Sequence, residues 1–157
     1  MLEVDVPGWR TLRLEHLVLD VNGTLTLDGT LLPIVAPKLT VLGAQLEVQL
    51  LSADTFGRLD DVAAALAVVG RRLRAGEPES AQKAQVVREL GAESVVAIGN
   101  GANDVAMLAE AALGIAVLGP EGLAVASLTA TDVIVASIED ALELLLNPMR
   151  LIATLRR

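Results

Sequence analysis

The sequence predicts an α/β protein of three layers, with helices on both faces of a mostly parallel sheet. Two observations carry this. Short apolar runs such as Leu17–Leu19, Leu46–Leu51, Ser94–Ile98 and Leu113–Leu118 alternate with segments whose apolar residues recur at helical spacing. Such alternation implies right-handed βαβ units. Several of the apolar runs also end abruptly in Asp, Ser or Asn, and ligands of parallel sheets collect at the carboxyl ends of their strands.

In chain order, Leu2–Val6 and Thr11–Leu14 flank the turn residues Pro7-Gly8 and predict a hairpin added to the sheet edge. Leu17–Leu19 is the first central strand and ends at Asp20. Asp28-Gly29 predicts a tight turn within a small flap, Leu25–Leu32, and Pro33 and Pro37 admit a helix to about Leu42. Leu46–Leu51 is the second strand, running into Ser52-Ala53-Asp54-Thr55. Leu59, Val62, Ala63, Leu66 and Val69 share a helical face, which Gly70 is expected to stop, and Arg71–Arg74 is a weak strand. A helix over Ser80–Leu90 carries Lys83 and stops at Gly91. Ser94–Ile98 runs into Gly99-Asn100-Gly101-Ala102-Asn103-Asp104, and a helix follows to about Ala112. Strands at Leu113–Leu118 and Val133–Val135 and helices at Ile138–Leu146 and Met149–Leu155 complete the chain. The expected organisation is one domain over 1–157, with a β extension (1–14), a core (16–146) and a C-terminal helix (147–157).

Composition narrows the function. The formal net charge is -8, with 12 basic against 20 acidic residues, which speaks against a nucleic-acid partner. Without cysteine there are no disulfides or thiolate metal sites, so any metal is held by oxygen or by His16. His16 itself reads as structural or exposed. Hydrophobic residues make up 53% of the chain, yet no run approaches the 18 or more needed to span a membrane. The acidic amino terminus does not resemble a signal peptide, and the expected location is cytoplasmic.

Three strand ends now carry polar groups: Asp20 with Asn22, Ser52 with Asp54, and Asn100 with Asn103 and Asp104. Taken singly these have plain readings. Ser52 or Asp54 caps the following helix, Asn103 or Asp104 caps the one through Met107, and Lys83 is a surface lysine. Their joint order resembles the haloacid dehalogenase superfamily of phosphotransferases, and within it looks closest to the phosphorylation domain of P-type ATPases. Asp20-Val21-Asn22-Gly23-Thr24-Leu25-Thr26 is similar to the first family motif, Ser52-Ala53-Asp54 to the second, Lys83 to the third, and Gly99–Asp104 with Met107-Leu108 to the fourth.

The resemblance implies a Rossmann-like fold and a Mg²⁺-dependent phosphohydrolase acting through an aspartyl-phosphate on Asp20. It implies Gly23, Ser52, Lys83 and Asn103 around the phosphoryl group. Asp20, Asn22 through its main-chain carbonyl, Asn100 and Asp104 would hold the metal. Chemistry is consistent with this: a carboxylate attacks phosphorus only when its repulsion from phosphate is neutralised, and Mg²⁺ with a lysine does that. Mg²⁺ also favours oxygen ligands, including one or two carboxylates.

Two residues depart from the family pattern. Asn22 stands where most relatives have a second Asp as acid/base, and an amide cannot exchange a proton near neutral pH. Asn100 replaces a usual metal-binding Asp. The intervals Asp20–Ser52 and Ser52–Lys83 leave no room for an inserted cap domain. An open site is therefore expected, covered by a phosphorylated substrate of unidentified nature or by a second copy in a homo-oligomer. The alternative is a catalytically weak, phosphate- or phosphoprotein-binding regulatory module on the same fold.

Overall fold

A computed structural model describes residues 1–157. Its centre is a six-stranded, all-parallel sheet built from β3 (His16–Asp20), β6 (Glu47–Ser52), β7 (Val69–Arg72), β8 (Val95–Gly99), β9 (Leu113–Val117) and β10 (Val133–Val135), in the spatial order β10-β9-β8-β3-β6-β7. With helices on both faces this is the three-layer, Rossmann-like α/β architecture expected, without a cap domain. No helix is long and apolar enough to cross a membrane.

Strand pleating sorts the core into two clusters. Leu17 and Leu19 of β3 point with Leu50, Val96, Ile98 and Ile115 into the larger one, which α1 (Val35–Leu42), α2 (Leu59–Leu66), α5 (Ile138–Leu146) and α6 (Pro148–Leu155) cover. Val18 points the other way, joining Leu51, Val95 and Ala97 beneath α3 (Glu79–Leu90) and α4 (Val105–Glu110). Because side chains alternate with period 2, Asp20 shares the face of Val18. The helix carrying Lys83 lies on that same face.

Register aligns the strand ends. Leu19 pairs with Leu50 on one side and Ile98 on the other, so Asp20, Ser52 and Asn100 emerge at one rim.

Three expectations need correction. The hairpin of β1 (Leu2–Val6) and β2 (Arg10–Leu14) forms its own two-stranded sheet and does not extend an edge of the large one. Leu12, Leu14, Val4 and Val6 bury into the larger core cluster, and Glu15 is hydrogen-bonded to Ser94 and Glu47 at the amino ends of β8 and β6. The hairpin thus closes the end of the sheet opposite Asp20. Secondly, α2 stops at Leu66 rather than at Gly70, because Ala67 turns left-handed (φ 53°). Thirdly, β7 therefore begins at Val69, two residues before the expected Arg71. Gly70 is a strand residue held close to Ala63 and Leu59, where a Cβ would come within 3.1 Å of the Ala63 methyl.

Other boundaries follow local chemistry. Gly91 ends α3 at φ +86°. Ser137 caps α5 by accepting a hydrogen bond from the Asp140 amide, with Glu139 and Asp140 in the first turn where the helix dipole favours acids. The flap is a two-strand hairpin, β4 (Thr26–Leu27) and β5 (Thr30–Leu31), overhanging the rim after Asp20.

Candidate active site

Asp20 and Lys83 meet inside the protein. Lys83 is fully buried, and its Nζ donates to Asp20 Oδ1 at 2.6 Å and to Asp104 Oδ1 at 2.7 Å. The surface-lysine reading is thereby overturned. A buried ammonium survives only when paired, and here two carboxylates pair it. Burial alone would lower the Lys83 pKa, but Asp20 and Asp104 outweigh it and hold the pKa above the ordinary lysine value. The Asp20 pKa is raised as well: burial first, then the Asp104 charge, push it up to about 6 despite Lys83 and the Thr24 hydroxyl.

Asp104 anchors the loop as well as the lysine. Its Oδ2 accepts from the Asn100 and Gly101 amides at 2.9 and 2.8 Å. Gly99 leaves the necessary room, since a Cβ there would lie 2.5 Å from the Asp104 carboxyl. Ser127, fully buried in a 3-10 turn after β9, donates to the Gly101 carbonyl at 3.0 Å and braces the loop from behind. Sequence reasoning missed Ser127, because a serine in a structureless stretch carries no local signal.

The second oxygen of Asp20 faces a different set. Thr24 Oγ1 lies 3.1 Å from Asp20 Oδ2 and 3.1 Å from Asn100 Oδ1. A hydroxyl has one proton to donate, so two oxygens share it. Asp20 Oδ2 and Asn100 Oδ1 thus form an oxygen-only pair suited to a hard cation, although no cluster of three acidic or histidine side chains exists. Both are oxygen donors of the kind such an ion takes. Asp104 has both oxygens engaged by Lys83 and the loop amides.

The other residues of interest are less tightly gathered. Gly23 is buried at φ +77°, in a turn whose amides at Thr24, Leu25 and Thr26 all point to the Val21 carbonyl. Asn22 is half-buried beside it. Ser52 is buried and its Oγ accepts from the Asp54 amide at 2.9 Å, while Asp54 Oδ1 accepts from the Leu59 amide at 2.8 Å. Asp54, at φ 59°, thus reaches the start of α2, while Ser52 holds the loop that precedes it. Asn103 turns away from Asp20 and donates to Glu79 Oε2 at 2.6 Å. A groove of about 350 Å³ lies alongside, between β7 and α3, but its Arg71, Arg72 and Arg74 are paired with Glu89, with Asp54 and Asp60, and with Glu77.

Comparisons with known proteins bear on the fold and on one segment of the sequence. Residues 78–128 match the haloacid dehalogenase-like hydrolase family. No curated protein matches the sequence. Among solved structures, 3-deoxy-D-manno-octulosonate 8-phosphate phosphatase from Moraxella catarrhalis, in complex with magnesium ion, phosphate ion and KDO, superposes with TM-score 0.69 at 18% identity, over 90% of this chain and 92% of that one. The cobalt-bound deoxy-D-mannose-octulosonate 8-phosphate phosphatase from Haemophilus influenzae gives 0.68 at 16% identity, over 85% and 88%. The catalytic domain of the CPx-ATPase CopB-B gives 0.61 at 22% identity, over 75% of this chain but 46% of that one. The P-type ATPase likeness is the more distant of these. The chain shares the fold of these proteins, and residues 78–128 are similar to the haloacid dehalogenase-like hydrolase family.

Proposed function

We propose, from this haloacid dehalogenase-like fold, that the protein is a Mg²⁺-dependent, cap-less phosphohydrolase acting through an aspartyl-phosphate on Asp20. The observation that carries the reading is the buried Asp20–Lys83–Asp104 triad at the rim of the parallel sheet. A carboxylate raised to a pKa of about 6 is costly to keep in a merely structural position, and perturbed groups of this kind mark working sites.

In this reading Asp20 attacks phosphorus in line and the leaving oxygen departs on the far side. Lys83 holds the nucleophile in one orientation and offsets charge on the phosphoryl oxygens. Ser52 and the Gly23 amide bind those oxygens, and Asn103 borders the same rim. Mg²⁺, held by Asp20, Asn100 and the Asn22 carbonyl with Asp104 behind them, would neutralise the phosphate charge that otherwise repels the nucleophile. The magnesium and phosphate named for the Moraxella catarrhalis structure support that cofactor and ligand class. The compact flap leaves the site open to a phosphorylated substrate, or to cover from a second copy of the chain. The expected setting is one cytoplasmic domain.

Fresh protein incubated with p-nitrophenyl phosphate and Mg²⁺ tests the reading: Asp20→Ala abolishes phosphate release. Equal release by both proteins would reject it. One observation favours the alternative of a slow, phosphate- or phosphoprotein-binding module, namely the amide at Asn22. A phosphorylated Asp20 that persists without turnover would support that second reading.

A further inference from the structure

Asn22 leaves the site without the carboxylate that usually moves the proton, yet another carboxylate stands one residue away in space. Glu121 belongs to the loop between β9 and β10, far from the motifs in sequence. A Cβ placed on Gly23 would lie 2.7 Å from Glu121 Oε2 and 2.7 Å from Asn100 Nδ2. The space a side chain would take at Gly23 is therefore filled by the Glu121 carboxylate and the Asn100 amide. Only glycine lets both groups approach the turn that follows Asp20 so closely.

The loop is fastened over the turn at several points. Asn100 Nδ2 donates to the Gly122 carbonyl at 3.2 Å, and the Ala124 amide donates to the Asn100 carbonyl at 2.9 Å. Gly119 backs onto the Gly23 carbonyl, 3.5 Å from where its own Cβ would be. Glu121 Oε1 accepts from the Asp28 amide of the flap at 3.1 Å, which orients the carboxylate and leaves Oε2 toward Gly23. Glu121 is exposed, and this bond tethers it against the turn that follows Asp20.

Building on the aspartyl-phosphate reading above, we infer that Glu121 is the general base for hydrolysis of phospho-Asp20. Water attacks phosphorus and the bond from phosphorus to the Asp20 oxygen breaks, its electron pair returning to the Asp20 carboxylate. The water proton passes to Glu121 Oε2. Inorganic phosphate leaves, and Glu121 returns its proton to solvent.

The test separates this role from the tether. Phosphorylate the wild type, Glu121→Gln and Glu121→Ala with acetyl phosphate and Mg²⁺, remove the donor, and follow loss of the phosphoryl adduct by intact mass after acid quench. Glutamine keeps an oxygen for the Asp28 amide and cannot take a proton. The expected result is decay slowed about 10²-fold in both variants, with unchanged rates of adduct formation. Adding Asn22→Asp to Glu121→Gln is expected to restore decay. Wild-type decay in Glu121→Gln overturns the inference, including the case where Glu121→Ala alone is slow, which would assign Glu121 to holding the flap. Absence of any adduct in all three proteins would instead defeat the reading of Asp20 itself, and this inference with it.

Discussion

Lys83 Nζ sits 2.6 Å from Asp20 Oδ1 with both side chains buried, although 63 positions separate the two residues in the sequence. The pair fixes the Asp20 carboxylate in one orientation before any ligand arrives. It also sets the charge of the buried cluster: one ammonium between two carboxylates.

Lys83→Met follows directly. It leaves Asp20 and Asp104 buried and mutually repelling, and the loss of one partner from a buried ion pair costs about 3–5 kcal/mol. Chemical denaturation in EDTA is expected to show a loss of that order, together with loss of adduct formation on Asp20.

The charge of Asp20 has a pH signature. Its pKa in the folded, metal-free protein is about 6, above the ordinary 3.8. Between those values the folded state binds more protons than the unfolded one, so this group makes stability fall as pH rises from about 4 through 6. The cost at neutral pH is of order 3 kcal/mol. Asp20→Asn in EDTA should therefore be at least as stable as wild type at pH 7, and its advantage should vanish toward pH 4. Mg²⁺ should raise the melting temperature of wild type and not of Asp20→Asn, because only the former keeps the charged ligand. Calorimetry with and without EDTA measures both.

Gly99 carries a packing prediction. A methyl there meets the Asp104 carboxyl at 2.5 Å, and that carboxyl is held by two amides and Lys83. Gly99→Ala is expected to cost about 1–3 kcal/mol and to weaken Mg²⁺ binding, measurable by unfolding and by metal titration.

Away from the site, Lys38 of α1 is bonded to Glu143 of α5. The hydrogen bond from Lys38 holds the Glu143 pKa below its usual value. Stability from this pair is present above the ordinary glutamate pKa and is lost as pH falls through the depressed one. Lys38→Met should remove that acid-side slope, as equilibrium unfolding across pH 3 to 7 would show.

Much of this was legible in the chain. Apolar runs closed by Asp20, Ser52 and Asn100 announced a parallel sheet with one polar rim, because strand burial and strand-end polarity are local patterns. The left-handed Ala67 was not legible, since alanine gives no hint of positive φ; the end of α2 and the start of β7 shifted with it. The hairpin's position depended on where Leu12 and Leu14 find a core, a tertiary choice. Glu121 and Ser127 were invisible for a related reason. Their roles come from a loop folded back on Gly23 and Gly101, and no spacing in the sequence records that contact.

Asn22→Asp tests the missing proton carrier. If the amide limits turnover, the substitution should raise steady-state phosphate release by about 10²-fold with little change in adduct formation.

The most direct measurement is peptide mapping after acid quench of fresh protein treated with acetyl phosphate and Mg²⁺. The phosphoryl group is predicted on the peptide containing Asp20, and on nothing in Asp20→Asn. Undiminished phosphate release from Asp20→Asn, or a phosphoryl group on another residue, would contradict the account.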